Sequence, residues 1–389
     1  MDATLDIAIA GTGHTALTAA LVLARAVPHW RIALLGASGA GGGADPRVTA
    51  LAASSREVFS ALGLWPALAA QAAPIRDIRV SERGAPAQAG LGPVAEAAAF
   101  GHVIANGALG ACLAQAVAAS GNVRRLARVA GVPRPGAGHF EVPLEGGVLC
   151  ARLLVVADGA DSPLRAALGI ETRIRDHAAT ALLATLELAA PHRGVAFEHF
   201  TPSGPLALLP LPTRDGCDRM ALVWVLPPAR ATALAQAAPE SRRAELAAAL
   251  PPGAAAVRAM GAPALVPLHR VLACEQVRSR LVLAGNAAHC LHPVAGQGFN
   301  LTVRDLAALA QCLREHAAAG GDPGDLRPLS AYARERERDQ CRTLSFSEAL
   351  PALFARRELP LVVGRQLGLI ALDLLPPLRR AVAGFGAGL

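Results

Sequence analysis

The first 36 residues place the strongest constraint on the fold. An apolar run at 5–10 (LDIAIA) leads into the turn GTGHTA, and the segment LTAALVLARAV follows with helical spacing until Pro28. A second apolar run, RIALL, occupies 31–35. This order predicts a strand, a helix and a second strand, which together form a β-α-β unit at the start of the chain.

The turn GTGHTA has the form G-x-G-x-x-G/A between the predicted strand and helix. Gly11 permits the tight turn, Gly13 lets the backbone approach a pyrophosphate, and Ala16 lets helix and strand pack closely. A plain glycine turn is the alternative, but the β-α-β context favours dinucleotide binding. The acid that normally follows the second strand and binds the ribose is missing, because Gly36 stands at that place.

Composition excludes several chemistries. The chain has 389 residues and no lysine, which removes Schiff-base catalysis and the P-loop GK[ST]. The net charge is +7, but the arginines are spread along the chain and only 3% of residues are aromatic, so we predict no nucleic-acid partner. Seven cysteines without a C-x-x-C pair, and no export signal at the N-terminus, favour a cytoplasmic location.

A second motif follows the apolar strand near 153–157. The segment VVADGADSPLR places Asp158 and Gly159 directly after that strand. An ordinary turn with Ser162 as a helix cap is an equally good interpretation of this segment taken alone.

A third motif follows the strand RLVLAG at 280–285. A loop containing Pro293 leads to Gly296-Gln297-Gly298 and a helix whose first N–H groups are unpaired. Such a helix end favours an anion, and reduced flavin carries a negative charge, so the segment predicts a flavin cradle. We predict no metal at His289, Cys290 and His292, since no further ligands are suitably spaced.

Three other stretches complete the organisation. A helix-like stretch covers about 48–71, and short segments divided by Pro and Gly over about 176–268 predict a separate sheet domain. The apolar stretch 359–378 fits a core helix or a surface helix in contact with lipid, and we favour the core.

The three motifs, in this order, resemble the group A flavoprotein aromatic hydroxylases of the para-hydroxybenzoate hydroxylase fold, and more closely their ubiquinone-biosynthesis branch. The block AGNAAHCLHPVAGQGFNLTVRD is the most specific part, and DPRVTALAASSREVFSALGLW and FGHVIANGALGACL also resemble that branch. The resemblance covers about residues 5–315.

The resemblance implies an α/β fold with a Rossmann-like FAD-binding domain, an inserted mixed β-sheet substrate domain and C-terminal helices. The FAD-binding domain would comprise 1–75, 100–175 and 270–320. The substrate-binding sheet would comprise 76–99 and 176–269, and a helical region 321–389.

The resemblance also assigns site residues. The cofactor-binding set is Gly11, Gly13, Ala16, Arg47, Asp158, Gly159, Asn286, Pro293, Gly296, Gln297, Gly298 and Asn300. No residue is assigned as a catalytic acid or base. Asn286 stands where the family usually has an aspartate that binds the ribityl chain, so this change and Gly36 together predict loosely held FAD.

The implied activity is hydroxylation of the aromatic ring of a polyprenylated ubiquinone precursor with O₂, through a flavin C4a-hydroperoxide. NAD(P)H as reductant, a peripheral contact with the inner membrane and a complex with other ubiquinone-biosynthesis proteins remain open. Two rivals also remain: a non-catalytic scaffold with the same fold, and another flavin-dependent oxidoreductase, of which a halogenase is disfavoured by the absence of lysine.

Overall fold

A computed structural model describes residues 4–36, 46–92, 99–291 and 296–387. The strands in these ranges are β1 (Leu5–Ala10), β2 (Ile32–Leu35), β3 (Val48–Ala52), β4 (Ala72–Ile75), β5 (Asp77–Glu82), β6 (Gln88–Leu91), β7 (Gly101–Ala105), β8 (Val123–Leu126), β9 (Arg134–Pro135), β10 (Phe140–Leu144), β11 (Gly147–Val156), β12 (Thr172–Leu188), β13 (Val195–Thr201), β14 (Gly204–Arg214), β15 (Cys217–Leu226), β16 (Val257–Met260), β17 (Ala264–Ala273), β18 (Val277–Arg278), β19 (Leu281–Leu283) and β20 (His289–Cys290). The helices are α1 (His14–Ala26), α2 (Ala53–Ala61), α3 (Trp65–Ala69), α4 (Asn106–Ala119), α5 (Pro163–Ala167), α6 (Pro228–Gln236), α7 (Pro239–Ala249), α8 (Gln297–Ala318), α9 (Leu326–Ala355), α10 (Leu359–Leu374) and α11 (Pro376–Ala387).

The first sheet has the strand order β18-β19-β11-β1-β2-β8, with β9 and β10 attached beside β11. The strands β19, β11, β1, β2 and β8 run parallel to one another. β1, β2 and β19 are short apolar runs buried on both faces, as a parallel sheet between helices requires, whereas the edge strand β8 is partly exposed. The predicted β-α-β unit is confirmed as β1, α1 and β2, and the helices α1, α4 and α8 share one buried core with this sheet.

The second sheet has the order β20-β17-β12-β15-β14-β13-β5-β6, with β16 beside β12. The helices α6 and α7 pack on one of its faces, where Trp224 lies buried with Leu234 and Leu246. Two strands cross the predicted domain boundaries: β12 begins at Thr172 and β17 ends at Ala273. The division of the chain into domains stays a prediction.

The helix-like stretch predicted for 48–71 is wrong at its start. Residues 48–52 form β3, which pairs antiparallel with β7 in a small sheet of order β3-β7-β4. The helices of this stretch are α2 and α3. Pairing with a strand about 50 residues away overrides the local helical pattern, because strand preference depends on neighbours more than on the segment itself.

The core location favoured for 359–378 is also wrong. Along α10, only Arg365 and Leu369 are buried, and most of the large apolar side chains are exposed. Leu369 packs against Ala87 and Ala89 beside β6. Among the described helices none alone is long and apolar enough to span a membrane, whereas α10 and the start of α11 reach that length only as a pair bent by 99°.

A buried ion pair holds α10 against the second sheet. Arg365 donates from Nε to a Glu82 carboxylate oxygen at 2.8 Å and makes a second contact with the other oxygen. Gln366 donates to the same carboxylate at 2.7 Å. The C-terminal helices are thereby fixed over the cavity described next.

Candidate functional site

The three sequence motifs meet at one edge of the first sheet. Gly11 follows β1, Asp158 follows β11 and Gly285 follows β19, and these three parallel strands are neighbours. Their carboxyl ends therefore lie side by side, where open α/β sheets bind ligands. The approach is close: a Cβ added at Gly285 would lie 2.5 Å from Thr15 Oγ1 at the start of α1.

A cavity of about 1770 Å³ opens from these turns. The motif turns and β3 line one side, and one face of the second sheet lines the other, while α9, α10 and α11 cover it. Pockets for single small ligands usually measure about 300–1,000 Å³. The cavity therefore has room for a cofactor and a second molecule.

The glycines of the motifs differ in what they accommodate. Gly11 has φ +139° and a Cβ there would lie 2.3 Å from the Ala157 carbonyl oxygen, so only glycine fits. Gly13 and Gly298 have ordinary backbone angles, and a Cβ at either would meet nothing within 4 Å. Both face the cavity. The open space beside Gly13 and Gly298 lets a ligand approach the backbone closely.

The charges at this end of the cavity suit an anionic dinucleotide. The N-termini of α1 and α8 both face the cavity, and neither helix has an acidic residue in its first turn. Their unpaired N–H groups attract phosphate or a reduced flavin ring. Asp158 accepts from Leu164 N at 3.2 Å, while its buried Oδ1 has no partner among the described residues and is available to a hydroxyl or amide donor. These residues fit FAD.

Most of the predicted cofactor-binding residues line the cavity. These are Gly11, Gly13, Arg47, Asp158, Gly159, Asn286, Gly296, Gln297, Gly298 and Asn300. Ala16 does not: it is fully buried beneath the turn, where its Cβ would lie 3.2 Å from a Cβ at Gly11. It permits close packing without facing the pyrophosphate, and Pro293 lies outside the described residues.

Asn300 lines the cavity, but its amide group is engaged within the protein. It is 2% exposed, and its Oδ1 accepts from Ala52 N at 2.8 Å and from Ser55 Oγ at 2.7 Å. Its Nδ2 donates to the carbonyl oxygens of Ala50 and Gly296. All its hydrogen-bonding capacity is used within the protein, so Asn300 positions β3 against α8 instead of binding flavin through its amide.

The position of Gly36 changes the argument for loosely held FAD. A Cβ there would lie 2.2 Å from Thr12 Cγ2, so an acidic side chain at this position requires Thr12 to move. The absence of a side chain at Gly36 thus leaves the space that Thr12 occupies in the glycine turn. Asn286 is exposed towards the cavity, and the prediction that its amide weakens FAD binding stands without a test.

Sequence reasoning missed one residue of the cavity, Glu198 on β13. Its burial in an apolar face raises its pKa to about 7. The signal was available, because Glu198 shares a strand face with Ala196 and Phe200, both of which are buried. An acid at an inward position of a strand calls for a partner or a function.

Behind α8, a buried network joins His289 to Asp305. Asp305 accepts from His289 Nε2 at 2.7 Å, from Arg336 Nε at 2.7 Å and from Gln340 Nε2 at 3.0 Å. No group of three or more potential metal ligands occurs among the described residues. Burial raises the pKa of the Cys290 thiol, which favours its unreactive protonated form.

Comparisons with known sequences agree with this geometry. The profile of the FAD binding domain family matches residues 4–347. Ubiquinone hydroxylase UbiL of Rhodospirillum rubrum is 33% identical over 340 residues, which are 87% of this chain and 78% of that protein. The 3-demethoxyubiquinol 3-hydroxylase of Escherichia coli is 31% identical over 351 residues, which are 89% and 88% of the two chains.

Solved structures show the same architecture. PqsL of Pseudomonas aeruginosa, in complex with 2-aminobenzoylacetate, superposes with a TM-score of 0.79 at 23% identity, over 95% of this chain and 100% of that one. The p-nitrophenol 4-monooxygenase PnpA of Pseudomonas putida superposes with a TM-score of 0.78 at 17% identity, over 100% and 98%. The predicted fold class is confirmed.

Proposed function

The chain belongs to the FAD binding domain family, and from this membership we propose that it is an FAD-dependent monooxygenase that hydroxylates the aromatic ring of a polyprenylated ubiquinone precursor. The shape and lining of the cavity are the main evidence for this proposal. One end fits a dinucleotide, and the other is a largely apolar sheet face from which Glu198 presents its carboxyl group, with room for a ring with an apolar chain.

In this reaction the protein positions the cofactor and the substrate and excludes water from the reacting ring. The α1 and α8 N-termini would hold the anionic parts of the cofactor, and Asp158 Oδ1 would accept a hydrogen bond from one of its donors. Bound FAD supplies the redox chemistry that transfers one oxygen atom of O₂ to the ring. The apolar strands and the C-terminal helices keep the reacting ring out of water.

Gene deletion tests the activity. A strain without this gene should accumulate a prenylated ring that lacks one hydroxyl group, identified by mass spectrometry of lipid extracts. The parental gene should restore ubiquinone, whereas Gly298→Trp should not, because the indole would fill the open space beside α8.

The matched control is Gly107→Trp, since Gly107 is also the second residue of a helix with open space around it but does not line the cavity. It should rescue fully. Normal ubiquinone in the deletion strain would contradict the proposed substrate, and full rescue by Gly298→Trp would favour the non-catalytic scaffold.

The outer face of α10 supports a second part of the proposal, contact with a membrane. Leu359, Val363, Leu367, Ile370 and Leu374 follow helical spacing along one face, and their exposures range from 42% to 77%. The arginines Arg357 and Arg380 lie exposed at the two ends of this surface, and Arg356 beside them is paired with Glu358. An apolar helix face flanked by cations has the chemistry of a surface that lies on an anionic bilayer.

We infer that this face docks on an anionic bilayer, which would bring the covered cavity next to the source of a prenylated substrate. The protein should cosediment with phosphatidylglycerol-containing phosphatidylcholine vesicles more than with phosphatidylcholine alone. Leu367→Glu with Leu374→Glu should weaken binding at least about tenfold, because each leucine contributes roughly 1.5–3 kcal/mol when buried.

The control pair is Val148→Glu with Ile174→Glu, which changes two equally exposed apolar residues on strands of the two sheets. It should bind vesicles like the parent. Equal losses in both pairs, or no vesicle binding by the parent, would contradict the membrane contact.

A further inference from the structure

The face of the second sheet that lines the cavity is apolar around Glu198. Its register neighbours are Val80 on β5 and Ala207 on β14, and both line the cavity with it. The same face continues with apolar side chains from β6, β13, β14 and β15, which are Leu91, Ala196, Leu209, Val223 and Val225. Glu198 thus presents a carboxyl group to the cavity from an apolar wall.

The carboxyl group of Glu198 has no hydrogen bond or ion pair with any described residue. Elsewhere on this face, Glu82 is paired with Arg365, and Arg219 donates to the Pro212 carbonyl oxygen at 3.1 Å. Among the described residues, the other charged side chains that line the cavity are Arg47, Arg128, Asp158 and Arg365. Burial in this apolar face raises the pKa of Glu198.

An unpaired carboxyl in such a place is costly unless a ligand supplies the missing donor. The ligand must be apolar around that donor, because the strands beside Glu198 offer only hydrocarbon. A ring hydroxyl on an otherwise apolar aromatic molecule meets both requirements. Glu198 keeps part of its surface accessible, and that surface is the one presented to the cavity.

We propose that Glu198 binds the hydroxyl group of a phenolic substrate and accepts its proton, an inference that rests on the proposed ring hydroxylation. The ring O–H bond breaks, its electron pair stays on the ring oxygen, and the proton forms an O–H bond with the carboxylate. The proton passes to water when product leaves. The greater electron density on the ring oxygen extends into the ring and favours its attack on an electrophilic oxygen.

The test compares two ligands that differ only in whether the ring oxygen carries a hydrogen or a methyl group. FAD-loaded protein is titrated calorimetrically with 2-geranylphenol and with its methyl ether, at about pH 6 and about pH 8, on either side of the Glu198 pKa of about 7. The parent should prefer the phenol, at least about tenfold at the higher pH, because the ionised carboxylate accepts the stronger hydrogen bond. Below the pKa the protonated carboxyl makes a weaker bond, so the preference should fall.

Glu198→Gln should lose the preference and its pH dependence while binding FAD like the parent, and the exposed Glu187→Gln on β12 should keep both. A phenol preference retained by Glu198→Gln, or absent from the parent, would overturn the assignment. Product formation is scored separately by mass spectrometry. If the parent forms a hydroxylated product but Glu198→Gln keeps the preference for the phenol, this inference alone is wrong. If Glu198→Gln loses the preference but the parent forms no product, the inference is supported and the proposed reaction is wrong.

Discussion

Replacing Gly13 by valine should remove FAD and leave the fold intact. Gly13 has φ −80° and ψ −179°, which valine adopts readily, and its Cβ would meet no protein atom within 4 Å. The added isopropyl group would occupy the space through which a pyrophosphate reaches the α1 N-terminus. Loss of two charge-assisted hydrogen bonds at roughly 1.5–3 kcal/mol each weakens FAD at least about a hundredfold.

The measurement is the dissociation constant of FAD by fluorescence, with circular dichroism as the check on folding. Gly107→Val, at the start of α4, should bind FAD like the parent. Gly11→Val should fail to fold, because of its φ of +139° and its contact with Ala157. Parental FAD affinity in a folded Gly13→Val protein would refute the placement of the pyrophosphate.

Asp305→Ala should destabilise the protein by about 3–5 kcal/mol, the usual cost of leaving a buried charge without its partner. Asp305 is 2% exposed and receives three hydrogen bonds, from His289, Arg336 and Gln340. Asp305→Asn should lower the free energy of unfolding by less, because the amide oxygen still accepts one of these hydrogen bonds. Some loss remains, since the amide NH₂ group faces another donor.

Urea unfolding measures the change in the free energy of unfolding. The control is Glu315→Ala on the same helix, α8, where the side chain is exposed, and it should change stability by less than about 0.5 kcal/mol. A loss below about 1 kcal/mol for Asp305→Ala would mean that the network relaxes to satisfy Arg336 by other partners.

Local chemistry in the sequence predicted the β-α-β unit and a dinucleotide site, and the family resemblance identified the dinucleotide as FAD. The turn at Gly11 and Gly13 favoured dinucleotide binding because it lies between an apolar strand and a helix. The segment around Gly298 likewise predicted the start of α8 and its cavity position, both of which the structure has. Such features depend on residues close together in the chain, so short-range rules find them.

Only the tertiary structure decided which residues act together. Strand order brings the ends of β1, β11 and β19 side by side, and pairing with β7 turns 48–52 into a strand. The Asn300 amide makes hydrogen bonds with β3, α2 and the Gly296 carbonyl. The Glu198 carboxyl faces the cavity without a partner among the described residues. Side-chain roles of this kind depend on contacts between distant segments, and α10 lies outside the core because only one of its sides meets the sheet. Local propensity and periodicity describe what a segment can form, whereas long-range packing selects what each face meets.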